Sequence, residues 1–194
     1  MDNDPNEPPT NLQSAISNLQ SAICNVFLVG YRGTGKTTVA RLLASRLGWS
    51  WVDADDVLER RAAMTIRQVF EAEGEAGFRR RESAVLEELC GLRRHLIATG
   101  GGVVLSAANR DRLKAAGRVV WLTADAATIR RRLEGDRTTG ERRPVLTVGG
   151  LAEIKELLRA REPLYRAVAD FTVDTRGRPP EEVVEVICKS LNQS

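Results

Sequence analysis

Along the chain, short continuous apolar runs alternate with longer stretches in which apolar residues recur every three or four positions. Residues 26–30 (VFLVG) form the first such run and end on glycine, as a strand buried on both faces does. Residues 36–47 follow, with Val39, Leu42, Leu43 and Leu47 at helical spacing. The pattern then predicts a strand over 49–52 ending at Asp53, helices over 56–62, 66–73 and 80–94, and a strand over 95–99 running into three glycines. Beyond these it predicts a helix over 109–116, a strand over 118–122, a helix over 126–133, an amphipathic helix over 151–161, a strand over 171–174 and a closing helix over 180–191. Strands alternating with helices argue for an open, doubly wound α/β sheet. Ligands of such sheets bind outside the carboxyl ends of the strands.

Two segments stand outside this alternation. Residues 1–10 are polar and proline-rich and read as disorder. The hexapeptide NLQSAI then occurs twice, at 11–16 and 18–23, putting Leu12, Ile16, Leu19 and Ile23 at heptad-like spacing. This is either a short association helix or a non-functional extension; two heptads alone do not sustain a helix. The second segment, 134–150, is polar, holds four glycines, and has Arg132, Arg137, Arg142 and Arg143 within or just before it. A stretch of that kind inside a compact domain is characteristically a functional loop or lid. The expected organisation is a 1–24 extension followed by one domain over 25–194, with its lid near 134–150.

Composition narrows the function classes. The 194 residues are 42% hydrophobic and 28% charged, enough apolar material for a core without disulfide or metal staples. No run approaches the length of a membrane span. The net charge is +3, and three of the 26 acids (Asp2, Asp4, Glu7) lie in the base-free extension. The mildly basic body suits a phosphate-bearing small molecule and falls short of a nucleic-acid footprint. Cys24, Cys90 and Cys188 have no metal spacing, which fits reduced thiols. With no basic leader, the cytoplasm is the expected compartment, and a monomer the expected state.

The chemistry begins at Gly30-Tyr31-Arg32-Gly33-Thr34-Gly35-Lys36-Thr37, which fits GxxxxGK[ST] at every fixed position. It follows an apolar strand and opens a helix, the context the motif requires. Backbone N–H groups around Gly33, Thr34 and Gly35 can cradle anionic oxygens, and the helix start adds its positive dipole end. Lys36 can reach the β/γ-phosphates and Thr37 can ligate Mg²⁺, and Thr38 is counted with them among the ATP-binding residues. The chain is short for a motor, helicase or transporter ATPase and lacks an NKxD guanine loop. Small kinases remain.

Asp53 and Asp55 stand two apart at the end of the second strand. If the strand persists, both carboxylates face the same side. One can then serve a metal through water while the other accepts a hydroxyl proton. A helix N-cap pair explains the same spacing. Gly100, Gly101 and Gly102 leave backbone N–H groups bare beside whatever binds there. The segment at Arg79, Arg80, Arg81 and Glu82 is a solvated face when taken alone, and Arg161 lies near a helix end where it can point inward.

GYRGTGKTT, the DAD pair, GFRRRE, ATGGGVV, RRPVL, REPLY and VDTRGRP, in this order over about 25–190, resemble the shikimate kinases. The resemblance implies a P-loop NTPase fold of the nucleoside-monophosphate-kinase type: a parallel five-stranded sheet, helices on both faces and a mobile lid. It implies ATP-dependent phosphorylation of the shikimate 3-hydroxyl with Mg²⁺. Asp53 matches the residue that organises Mg²⁺ through water, and Asp55 the one that binds substrate hydroxyls and acts as base. Arg79 and Arg161 match carboxylate-binding arginines, Glu82 the acid that orients Arg79, and Gly101 with its neighbours the backbone donors. Arg143 matches the lid arginine over the ATP phosphates, assisted by Arg137 or Arg142, and Arg178 a residue near adenine. Planar guanidinium forks suit a carboxylate acceptor better than lysines. The rivals are another small-molecule kinase, for gluconate or a nucleoside monophosphate, and a nucleotide-binding regulator without transfer. His95, Trp49, Trp51, Trp121, Cys90 and Cys188 are expected to be structural, and Arg130, Arg131 and Arg132 to form a solvated face.

Overall fold

The computed structural model describes residues 25–135 and 150–192. The elements run β1 (Asn25–Val29), α1 (Lys36–Leu47), β2 (Ser50–Asp53), α2 (Ala54–Ala62), α3 (Ile66–Cys90), β3 (His95–Ala98), a 3₁₀ turn (Val103–Leu105), α4 (Ala107–Ala116), β4 (Arg118–Thr123), α5 (Ala126–Gly135), α6 (Gly150–Val168), β5 (Phe171–Asp174) and α7 (Pro180–Asn192). The five strands lie in the order β2-β3-β1-β4-β5, and every pairing is parallel. β1 is central and wholly buried. That position explains its unbroken apolar sequence: both of its faces meet helices.

Two apolar layers flank the sheet. On one face Val26 and Leu28 of β1 pack with Val39 and Leu43 of α1 and Val183 and Ile187 of α7. On the other, Phe27 and Val29 pack with Phe78 and Leu86 of α3, Leu113 of α4 and Tyr165 of α6. A third cluster joins Tyr31 to Ile129 of α5 and Ile154 of α6. The sheet therefore delivers the loops after β1, β2 and β3 to one end, where α5 and α6 also converge.

Several element bounds differ from those the sequence predicts. The helices expected over 66–73 and 80–94 are one run, α3, kinked at Gly74 (φ 66°, ψ −175°) and ended at Cys90. An L side chain disfavours that backbone geometry, so glycine is what allows the kink. Across it, Arg81 grips the Glu73 carboxylate through Nε (3.0 Å) and Nη2 (2.6 Å). The helix expected to end at Arg161 runs through Pro163 to Val168, held by tertiary packing of Tyr165 and Val168 against the sheet. The helix expected from residue 56 starts at Ala54, so β2 does not persist and the two-sided strand geometry for Asp53 and Asp55 does not apply. The NLQSAI repeat, Cys24, Arg137, Arg142 and Arg143 lie outside the described residues.

Candidate active site

α1 starts without a side-chain cap; its N-cap is Gly35 in a left-handed conformation, and its first turn carries no acid. The helices α2, α3, α4 and α5 each receive a side-chain acceptor, from Asp53, Thr65, Ser106 and Asp125. An uncapped helix start presents orphan N–H groups and a positive dipole end, the arrangement an anion needs. Lys36 is buried, and its ammonium group donates to Gly30 O and Tyr31 O, each at 2.9 Å. These carbonyl contacts hold the charge inside the loop, and phosphate oxygens can replace them on binding.

Asp53 ties three parts together. Its Oδ2 accepts from Thr37 Oγ1 of α1 at 2.6 Å, and its Oδ1 accepts from the Asp55 backbone N–H at 2.9 Å. Burial, with the Asp55 charge second, raises its pKa above the ordinary carboxylate value, while the two hydrogen bonds oppose the rise. A dication beside it would relieve that penalty. The donor set here is one hydroxyl and one carboxylate, and no cluster of three or more metal-ligating side chains exists among the described residues. That sparse oxygen set fits Mg²⁺, which keeps several waters and takes substrate phosphates rather than an all-protein cage.

On the far side of the phosphate loop, the glycine triplet lies directly on it. A Cβ at Gly101 would stand 3.4 Å from Gly30 O and Arg32 N. A Cβ at Gly102 would fall 2.1 Å from Arg79 Nη1, so the guanidinium occupies the space a side chain there would take. Arg79 is held there by Glu82, at 2.7 Å from Nη1 to Oε2, and by Glu75 at 3.2 Å. Burial opposes its charge, but the Glu82 carboxylate and the hydrogen bonds outweigh this and keep it firmly protonated. Arg161 approaches from α6, with Nη1 3.3 Å from Gly101 O and its guanidinium 5.7 Å from the Tyr31 ring centre. Two guanidinium groups thus border the triplet from different helices.

The structure brings together the phosphate loop (Gly33, Thr34, Gly35, Lys36, Thr37, Thr38), Asp53, Asp55, Gly100, Gly101, Gly102, Arg79, Glu82 and Arg161. Arg178 lies in the segment before α7, with Nε 3.6 Å from Glu182 Oε1. Two participants escaped the sequence reading. Tyr165 donates to Gly101 O at 2.5 Å; its spacing of four from Arg161 would have revealed it had the helix been carried past Pro163. Arg132 is no solvated-face residue: it donates to Gly33 O (3.2 Å), Thr175 Oγ1 (2.9 Å) and Thr175 O (2.8 Å), joining α5 to the phosphate loop and the end of β5. His95 Nδ1 lies 2.7 Å from Arg93 O. Trp121 stacks on Tyr165, whereas Trp51 on the edge strand is 40% exposed.

The fold and the phosphate loop define the class: a small kinase on the P-loop NTPase fold. The comparisons narrow it. The shikimate kinase family model matches residues 32–192. A shikimate kinase of Thiobacillus denitrificans is 48% identical over 169 residues, covering 87% of this chain and 90% of the relative. One from Rhodopirellula baltica is 43% identical over 171 residues, 88% of this chain and 91% of the relative. Among solved structures, a shikimate kinase from Acinetobacter baumannii in complex with shikimate superposes with a TM-score of 0.84 at 36% identity, covering 92% of this chain and 97% of that one. The chain belongs to the shikimate kinase family.

Proposed function

We propose that this protein transfers the γ-phosphoryl group of ATP to the 3-hydroxyl of shikimate, releasing ADP and shikimate 3-phosphate. The observation that carries this reading is the pair of arginines, Arg79 and Arg161, set against the glycine triplet beside the phosphate loop. Two planar forks over bare backbone N–H groups suit a compact carboxylate-bearing alcohol. Gluconate also bears a carboxylate and a nucleoside monophosphate a phosphate that arginine forks fit; membership of the shikimate kinase family favours shikimate among these acceptors.

Lys36 and the backbone of residues 33–38 would hold the ATP phosphates, Thr37 and Asp53 would hold Mg²⁺, and Arg143 and Arg178 are assigned to the nucleotide. When bound, the Mg²⁺ neutralises charge on the phosphates. Arg79, kept in place by Glu82, and Arg161 fix the acceptor carboxylate, and the 100–102 backbone supports the ring. Asp55 orients the acceptor hydroxyl and takes its proton as the oxygen attacks the γ-phosphorus and the bond to the ADP oxygen breaks. Alignment and charge neutralisation supply most of the rate, and a closing lid excludes water that would otherwise be phosphorylated.

The test is ADP release from Mg-ATP with shikimate, beside gluconate, quinate and a nucleoside monophosphate. The expected result is release with shikimate, removed by Mg²⁺ chelation and by Asp55→Asn. A folded, ATP-binding protein that releases no ADP with shikimate would refute the proposal.

A further inference from the structure

The Gly101 carbonyl oxygen is the meeting point of two side chains from α6, Tyr165 Oη at 2.5 Å and Arg161 Nη1 at 3.3 Å. Tyr165 is 1% exposed, and its ring is stacked on Trp121 at 5.7 Å between centres. Its hydroxyl therefore has a fixed origin on the sheet. The peptide joining Gly101 to Gly102 is trans, so its C=O and the Gly102 N–H point in opposite directions. It is the central peptide of a turn closed by Val103 N–H on Gly100 O at 3.2 Å, and with glycine on both sides that turn bond leaves two rotations of the peptide open. Whatever grips the oxygen decides where the N–H is aimed.

We propose that Tyr165 is a positioning residue for the acceptor: its hydroxyl locks the Gly101–Gly102 peptide so that the Gly102 N–H faces the pocket. It also satisfies the carbonyl, so that Arg161 can exchange its longer contact for the acceptor carboxylate. This inference rests on the function proposed above. Burial pushes the Tyr165 phenol up to about 12, so it remains a donor throughout the pH range of an assay. The same oxygen explains why a tyrosine and an arginine stand four residues apart on one helix face.

The test is Tyr165→Phe in the full chain, which keeps the ring and its stack on Trp121. In the ligand-free protein the Gly102 amide resonance should move, because the carbonyl of its own peptide loses a hydrogen bond. In turnover the KM for shikimate should rise about tenfold, with the KM for ATP changed by less than about twofold. In an Arg161→Ala background the same substitution should cost markedly less, since part of its effect passes through Arg161. An unmoved Gly102 resonance, or equal changes in both KM values, would overturn the proposal. The failure of wild-type protein to turn over shikimate would instead count against the proposed function, and the Gly102 resonance would still decide the role of Tyr165.

Discussion

In the phosphate loop, consecutive residues from Gly30 to Thr37 carry the binding chemistry, most of it on backbone N–H groups and one buried lysine. In the acceptor pocket, Arg79 comes from α3, the glycines from the loop after β3 and Arg161 from α6. The loop is a local structure, set by eight consecutive residues between a strand and a helix start. The pocket exists only when three distant segments pack in register. A local site tolerates change in its surroundings and says little about substrate; an assembled one fails when any supporting contact moves, and it carries the specificity.

The largest effect expected from breaking the local half is that of Lys36→Met. It should lower kcat on the order of a thousandfold, the scale at which loss of a preorganised charge acts on phosphoryl transfer. Steady-state ADP release checks this. Breaking the assembled half at its thinnest point, Gly102→Ala drives a methyl group into the Arg79 guanidinium. The arginine is the flexible partner, so the fold should survive. The KM for shikimate should nevertheless rise about ten- to a hundredfold while that for ATP stays put. A smaller change should sharpen the contrast from the nucleotide side. Arg132→Ala cuts the bonds from α5 to Gly33 and Thr175, and should weaken ATP binding about tenfold with little change for shikimate.

The smallest effect is one of stability. Asp53 is an acid whose folded form is held above the ordinary carboxylate value by burial and by Asp55. Its charge is thus a penalty on the ligand-free protein. The penalty is absent below the ordinary value, grows as pH rises to the raised folded value and is complete above it. Asp53→Asn keeps a competent helix cap and removes the charge. Its Tm at neutral pH should therefore exceed that of the parent protein, with the difference shrinking in acid, while activity falls. Thermal melts at several pH values check the sign.

How much of this was legible beforehand follows the same division. The central strands were readable because a doubly buried parallel strand must be apolar along its whole length, as at 26–29. The phosphate loop was readable because it is contiguous. The misread bounds are those where packing overrides a local signal. Pro163 marks a helix end in isolation, yet Tyr165 and Val168 bury against the sheet and carry α6 onward. Gly74 marks a break but yields a kink, bridged by Glu73 and Arg81. Asp53 was open to two readings, metal-side carboxylate or helix cap. As a cap its Oδ1 meets the Asp55 N–H, and its Oδ2 still reaches Thr37. Arg132 was unreadable, since neither Gly33 nor Thr175 is near it in sequence.

The measurement that bears most directly on the assembled pocket is a comparison of shikimate with its methyl ester as acceptors. Wild-type protein and Arg161→Ala should be assayed at saturating Mg-ATP. The guanidinium forks of Arg79 and Arg161 predict that the ester loses at least about tenfold in kcat/KM with the wild-type protein. They also predict that the gap narrows in Arg161→Ala because the acid, not the ester, loses a partner. Equal turnover of acid and ester by the wild-type protein would contradict the account, and would mean that neither arginine reads the carboxylate.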